Sequence, residues 1–167
     1  LDERGMKMSK SMGNTVSPEN VIKQYGADIL RLWVAQSDYS TDLRIGPEIL
    51  KGVSDSYRRI RNTMRFLLGS LTDFEKEAEE INTDDMPELE RWILSKVAEL
   101  DVIVRNGYNE YSFQFVFQQL FQFCTLDLSS FYFDIRKDTL YCDSKNSYTR
   151  KACRTVLDIL FTRLTTW

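Results

Sequence analysis

Apolar residues recur at three- and four-residue intervals through most of the chain after residue 46, the spacing of helices that each bury one face. Polar segments separate four such stripes, and short connections between long helices favour antiparallel neighbours. Residues 47–167 are therefore predicted to form an antiparallel α-helical bundle. The predicted inward positions are Leu50, Val53, Tyr57, Ile60, Met64 and Leu67; Leu89, Trp92, Ile93, Val97, Leu100 and Val104; Phe113, Phe117, Leu120, Cys124, Leu128 and Phe131; and Ala152, Val156, Ile159, Leu160 and Leu164.

Residues that start or stop helices lie between these stripes. Pro47 and Pro87 are expected to begin the first two helices of the bundle, because proline is tolerated in a first turn. Asn106-Gly107 is expected to break the second helix, and Ser147 to begin the last one. The segment 70–85 is acidic and poor in large apolar groups, which predicts a linker.

The first 46 residues predict a smaller lobe. Ser17-Pro18-Glu19 combines a capping side chain, a proline and an acid, the pattern of a helix start, and Gly26 is expected to end that helix. A second helix is predicted over 27–36, and a short strand over 43–45. The expected buried side of the second helix carries Ile29, Leu30, Trp33 and Val34. The predicted fold class is thus mainly α, with a small mixed lobe before the bundle.

Composition narrows the class of protein. The chain has 167 residues, of which 43% are hydrophobic, and a net charge of −3, so no overall positive charge attracts nucleic acid. No signal peptide or membrane-spanning apolar run is present. Three cysteines without paired spacing are typical of a reducing cytoplasm. We expect Cys124 and Cys153 in the core and Cys142 near the surface. Without histidine or a CxxC pair, we predict no metal site.

The strongest candidate for chemistry is a short basic segment, Lys7-Met8-Ser9-Lys10-Ser11, followed by Met12-Gly13-Asn14. It suits neither a packed strand nor an apolar helix face, and Gly13-Asn14 permits a sharp turn. Lysine carries a compact charge with rotatable donors, which suits binding of a polyphosphate. A solvated basic loop is the plainer interpretation of such a pentamer taken alone.

This segment resembles the KMSKS signature loop of class I aminoacyl-tRNA synthetases, and the resemblance covers nearly the whole chain. Within that family, Arg58–Thr63 and Leu140–Asp143 resemble the isoleucine-specific enzymes of bacteria. Met6 departs from the pattern, since the family usually has Arg before KMSKS. The residues that carry the resemblance are 7–14, 18–28, 30–33, 37–40, 57–63, 65–69, 127–129, 131–132, 134, 137–138 and 140–143.

The resemblance implies roles for specific residues. Lys10, assisted by Lys7, would meet the charge that develops on the pyrophosphate of ATP, while Met8, Ser9 and Ser11 shape the ATP-binding loop. Residues 1–46 resemble the end of a catalytic domain with its stem-contact connector, and 47–167 an anticodon-binding domain truncated at its C-terminus. The family's second signature, HIGH, needs histidine, so we expect this chain to be part of a longer enzyme and inactive alone. The implied substrates and partners are isoleucine, ATP with Mg²⁺, and tRNA(Ile), for a cytoplasmic monomer.

Three arginines, Arg58, Arg61 and Arg65, share one flank of the first bundle helix with Lys51. Such a ridge suits an RNA backbone, which needs phosphate contacts rather than base readout. A solvated flank whose stems cover apolar surface is the alternative. A weaker RNA candidate is a stacking site at Tyr108, Asn109 and Tyr111.

Other candidate features have plainer interpretations. The helical spacing of Phe113, Phe117, Phe121 and Phe131 indicates core positions, as does that of Trp33 and Trp92. An acidic first turn explains the carboxylates Asp84, Asp85, Glu88 and Glu90, so no acid–base pair is assigned. Three alternatives for the whole chain stay open at this point. They are the equivalent part of a valyl, leucyl or methionyl enzyme, a non-catalytic helical RNA-binding module, and a purely structural bundle.

Overall fold

The computed structural model describes residues 1–167, and all of its regular structure is helical. The helices are α1 (Pro18–Tyr25), α2 (Ala27–Gln36), α3 (Pro47–Ser70), α4 (Lys76–Glu79), α5 (Glu88–Asn109), α6 (Phe113–Gln122), α7 (Phe133–Cys142) and α8 (Tyr148–Thr166), with a 3₁₀ turn at Thr83–Asp85 and a π-helical segment at Phe123–Tyr132. No helix is both long and apolar enough to cross a bilayer. The predicted helical bundle is confirmed.

Helices α1 and α2 begin and end where the sequence predicts. The Ser17 side chain accepts a hydrogen bond from the backbone N–H of Asn20, which caps α1. Gly26 ends α1 at a φ of 92°, a conformation that favours glycine, and α2 follows at once. One detail differs from expectation. Val34 is 58% exposed rather than buried, because it lies on the side of α2 away from the packed face.

The expected strand at 43–45 does not form. Leu1 donates its amino group to the carbonyl of Leu43 at 2.7 Å, and the N–H of Ile45 donates to the carbonyl of Leu1 at 3.1 Å. These two bonds hold an extended segment in place, but no longer ladder accompanies them, since Asp2 turns away to bond within its own loop. The lobe is therefore helical with extended connections, and the prediction of a mixed lobe was wrong.

Two hydrophobic clusters build the interior, and α3 joins them. The smaller cluster contains Val21, Ile29, Ile45, Leu50 and Val53, so the first turns of α3 pack on the N-terminal lobe. The larger one fills the bundle and takes Leu67 from the end of the same helix. Cys124 and Cys153 are buried and Cys142 is exposed, as expected.

Helix α5 runs without a break through Asn106-Gly107, contrary to prediction. Gly107 is buried, and a β-carbon placed on it would lie 2.3 Å from Cγ2 of Val116 in α6. The glycine is there to let the two helices approach, rather than to end one of them. Close packing has overridden the local helix-breaking tendency of glycine.

The third predicted helix is continuous from Phe113 to Cys142, but its central ten residues, Phe123–Tyr132, are π-helical. A π-helix bonds i→i+5 and so places more residues in each turn. The hydroxyls of Ser129 and Ser130 each donate to the carbonyl five residues earlier, at 2.7 and 2.8 Å. This altered period turns Tyr132 inward and leaves Phe131 44% exposed, so the core prediction for Phe131 was wrong. Phe113, at the start of α6, is 36% exposed, so the core prediction for Phe113 was wrong as well.

The predicted linker is packed against α8 by a buried arginine. Arg154, 2% exposed, places Nη1 at 2.8 Å from both carboxylate oxygens of Glu79 and donates Nη2 to the carbonyl of Thr72 at 2.7 Å. Its guanidinium also lies 5.3 Å from the ring centre of Phe74. The acidic segment is therefore part of the folded bundle, because it supplies the countercharge of this arginine.

Candidate functional site

The basic loop presents its two lysines to solvent. Lys7 and Lys10 are exposed and make no ion pair, whereas the Met8 side chain packs against the N-terminal hydrophobic cluster. Gly13, at a φ of 69°, donates its N–H to the carbonyl of Lys10 at 3.2 Å and turns the chain back. One apolar anchor thus holds the loop while both ammonium groups stay free to meet an anion.

Serines shape the inside of this loop. The hydroxyls of Ser9 and Ser11 lie 3.2 Å apart, and the N–H of Met12 donates to the hydroxyl of Ser9 at 3.3 Å. These bonds are local and exposed, so they order the turn without burying it. The predicted loop residues therefore lie together, with the two serine hydroxyls in contact and both lysines exposed.

The base of the loop is closed by a pair of residues that sequence patterns do not indicate. Asn14 accepts from the N–H of Ser9 at 2.9 Å and donates to the carboxylate of Asp2 at 2.9 Å. Asp2 also accepts from the N–H groups of Met6 and Arg4, at 2.8 and 3.0 Å. The pKa of Asp2 is lowered by these bonds, that from Asn14 being the largest cause. Its charged form thus fixes both ends of the loop.

A second contact ties the loop region to the bundle. The carboxylate of Glu3 accepts from the N–H groups of Glu48 and Ile49, at 2.5 and 3.3 Å, and so caps the start of α3. A carboxylate at a helix N-terminus is stabilised by the helix dipole and by the free N–H groups. The chain before the loop and the helix that carries the arginines are consequently held together.

The three predicted arginines line one open cleft of about 490 Å³ between α3 and the start of α2. Arg61 and Arg65 make no ion pair, and Arg58 makes one, with Asp55 at 2.7 Å. The first turn of α2 forms the opposite wall, and no side chain caps it. Asp28 also lines this wall, paired with Arg31 at 3.3 Å. Lys51, although on the same helix, lies outside the cleft.

The weaker stacking candidates Tyr108 and Tyr111 are 43% and 66% exposed, and Asn109 is exposed beside them, although two hydrogen bonds tie this corner to the rest of the chain. The Tyr108 hydroxyl donates to the carbonyl of Trp167 at 2.6 Å, and the Tyr39 hydroxyl donates to the carbonyl of Tyr111 at 3.0 Å. Glu90 differs from the other first-turn acids because it is fully buried and bound by Arg136. No three side chains of the His, Cys, Asp or Glu type gather where they could hold a metal ion.

Known protein families match both ends of the chain. Residues 1–46 match the family described as tRNA synthetases class I (I, L, M and V), and residues 90–167 match the anticodon-binding domain of tRNA ligase. The lysine loop lies within the first match, and the second covers most of the bundle. The chain belongs to the class I aminoacyl-tRNA synthetases.

Curated relatives narrow this class to one amino acid. The chain is similar over its whole length to isoleucine–tRNA ligases, with 67% identity to that of Ruegeria pomeroyi, 53% to that of Pelagibacter ubique and 50% to that of Caulobacter vibrioides. The resemblance to the bacterial isoleucine enzymes is confirmed. The alignments cover 100% of this chain but only 17%, 19% and 17% of these three relatives.

Proposed function

We propose that this chain works as part of an isoleucine–tRNA ligase, in which ATP activates isoleucine and the aminoacyl group passes to tRNA(Ile). Residues 1–46 supply the loop that meets the phosphates of ATP, and 47–167 supply a helical surface for tRNA, with α3 packed on both. The observation that carries the proposal is a loop with two unpaired lysines, closed at its base by Asp2 and Asn14. It occurs in a chain 67% identical to such a ligase.

Lys10 acts on the leaving group in this proposal. When isoleucine attacks the α-phosphate, negative charge grows on the departing pyrophosphate, and an ammonium that meets this charge lowers the barrier. Lys7 assists from the same loop, and Mg²⁺ would accompany ATP as part of that substrate. The exposed turn at Gly13 allows the loop to close over the nucleotide and reopen. The enzyme is proposed to act in the cytoplasm as a monomer.

The arginine cleft binds the tRNA backbone in the same proposal. Its side chains carry charge that no internal carboxylate fully neutralises, and phosphate oxygens accept from guanidinium groups in a bidentate manner. Such contacts position an RNA without reading its sequence.

The role of Lys10 is tested by Lys10→Ala in the full-length ligase. Pre-steady-state adenylate formation should slow by about two to three orders of magnitude, while isoleucine binding changes little, since the contact grows in the transition state. Lys145→Ala, in an exposed turn far along the chain, is the matched control. Adenylate formation near the unmodified rate in Lys10→Ala would refute the assignment. The 167-residue chain alone should give no isoleucine-dependent ATP–pyrophosphate exchange.

A further inference from the structure

The turn over residues 9–14 forms the tip of the basic loop, and Asn14 closes this tip on itself. The side-chain oxygen of Asn14 accepts from the backbone N–H of Ser9 at 2.9 Å, and inside the turn Gly13 donates its N–H to the carbonyl of Lys10 at 3.2 Å. Ser9 and Asn14 are half-buried, whereas the four residues between them are exposed. Lys10 is therefore carried by a short exposed turn whose two ends are joined by one amide group.

Asp2 fixes the orientation of this amide. When the oxygen of Asn14 faces the N–H of Ser9, its nitrogen points at the carboxylate of Asp2, to which it donates at 2.9 Å. An ionised carboxylate accepts hydrogen bonds but donates none, so it holds the nitrogen end of the amide and excludes the flipped orientation. The two side chains of Asp2 and Asn14, called the clasp below, thus act as one unit.

The clasp joins the tip to a fixed part of the chain. The N–H of Asp2 donates to the carbonyl of Met6 at 2.9 Å, and the N–H of Gly5 donates to the carbonyl of Asp2 at 3.0 Å, which closes a tight turn before the loop. In that turn the neighbouring Glu3 caps α3. The tip is consequently held against the body of the protein through Asp2 and through neither of the two lysines.

The charge of Asp2 indicates that its role is one of position. A carboxylate beside a phosphate-binding loop opposes an incoming polyphosphate by charge alone. Asp2 directs its oxygens inward instead, where they accept from the N–H groups of Arg4 and Met6 and from the amide of Asn14. This acid serves the shape of the loop, because its charge is unfavourable for the anion that the loop binds.

We propose that Asp2 and Asn14 are positioning residues that hold Lys10 where the charge of the leaving pyrophosphate develops. This inference rests on the proposed function and adds two residues that act through Lys10 without touching ATP. A reacting group misplaced by about 1 Å can cost a factor of about 10² in rate. Loss of the clasp should therefore slow adenylate formation more than it weakens ATP binding.

Exchanging the two side chains of the clasp tests the pair in the full-length ligase. Asp2→Asn turns an amide nitrogen toward that of Asn14, and Asn14→Asp brings two carboxylates face to face, so each single change breaks the clasp. The double variant, Asp2→Asn with Asn14→Asp, keeps the net charge and restores both bonds, since the new carboxylate accepts from Ser9 and from the new amide. Asp42→Asn, at an exposed carboxylate of the same lobe, is the matched control.

Two measurements are made on each variant. Both single variants should slow pre-steady-state adenylate formation about tenfold at saturating ATP and change the KM for ATP by less than about threefold. The double variant should return to within about threefold of the parent rate, and Asp42→Asn should not differ from the parent. Hydrogen exchange of the peptide that contains the tip should be faster in both single variants and normal in the double variant. Melting temperatures check that each variant is folded.

Different failures have different meanings. Unchanged adenylate formation in both single variants, while Lys10→Ala is slow, overturns the clasp and leaves the proposed function intact. A faster reaction or a lower KM for ATP in Asp2→Asn would show that the charge of Asp2 acts through space, which also overturns the positioning role. A double variant as slow as the single ones overturns the pairing. Normal adenylate formation in Lys10→Ala overturns the proposed function and this inference with it.

Discussion

The three arginines of the cleft differ in how free they are. Arg58 is paired with Asp55, and both side chains are largely exposed, so exchanging this partner for a phosphate costs little. Arg61 and Arg65 have no carboxylate partner, so neither has to give up an ion pair in order to bind a phosphate. A phosphate in the cleft should therefore depend most on Arg61 and Arg65.

Replacing the arginines by glutamine tests this contact. Each Arg→Gln change should weaken binding similarly for cognate and non-cognate tRNA and reduce the slope of log affinity against log salt by somewhat less than one. Fluorescence titration from about 50 to 200 mM salt measures the slope. Lys51→Gln, on the same helix outside the cleft, is the control and should leave binding nearly unchanged. A folded triple variant with an unchanged slope would remove the cleft from the tRNA site.

At the scale of single residues, the sequence indicates candidates that stand close together along the chain but not contacts between distant positions. Lys7, Lys10 and the arginines lie within short patterns, so neighbouring residues single them out as candidates. Glu3 and Glu48 are 45 positions apart, and their hydrogen bond depends on how the chain returns. Glu90 stands in an acidic sequence that is typical of an exposed first turn. Its burial is explained only by its partner Arg136, which lies 46 positions away.

Among the elements, hydrophobic periodicity predicted every long helix, and it failed where packing or an altered period took over. The break at Gly107 was a reasonable local prediction, but Val116 of the adjacent helix needs the space of a missing side chain. The π-helical segment escaped detection because a stripe read at 3.6 residues per turn continues smoothly through it. The consequence was one aromatic residue, Phe131, assigned to the wrong face.

Glycine substitutions separate helix propensity from packing. Gly107→Ala should destabilise the chain by about 1–2 kcal/mol, since overpacking against Val116 outweighs the gain in helix propensity. Gly52→Ala, inside α3 with open space around it, should instead stabilise by about 0.5–1 kcal/mol. Urea unfolding measures both. Equal stabilisation by the two changes would show that α5 and α6 do not need the close approach.

At the scale of the whole molecule, burial rather than charge pairing governs two of the titratable groups of the core. Burial raises the pKa of the Cys124 and Cys153 thiols to about 12. In an unfolded chain a thiol titrates near pH 8.5. The unfolded state therefore releases these two protons first as pH rises, which favours unfolding. Their contribution to stability is complete below about pH 8.5 and declines through the interval up to about pH 12.

Alkaline titration of stability is the corresponding experiment. Each buried thiol lowers the unfolding free energy by up to about 1.4 kcal/mol per pH unit in this interval, so the loss between pH 9 and pH 10 should be about 2 kcal/mol. Urea unfolding at pH 8, 9 and 10 measures it. Cys142→Ala, at an exposed thiol, should show the same decline as the parent chain. Stability that stays constant to pH 10 would mean that the two thiols are not protected by the fold.

The Glu3 cap on α3 also restricts how the sequence can change over evolution. The backbone of Gly46 is extended, with φ at 178°, and would admit any residue. A β-carbon there would nevertheless lie 2.0 Å from Cγ of Glu3, so a side chain at position 46 must displace the carboxylate that caps the helix. Positions 3 and 46 can therefore drift only together: a larger residue at 46 has to be accompanied by a shorter one at 3, and by another acceptor for the first turn of α3.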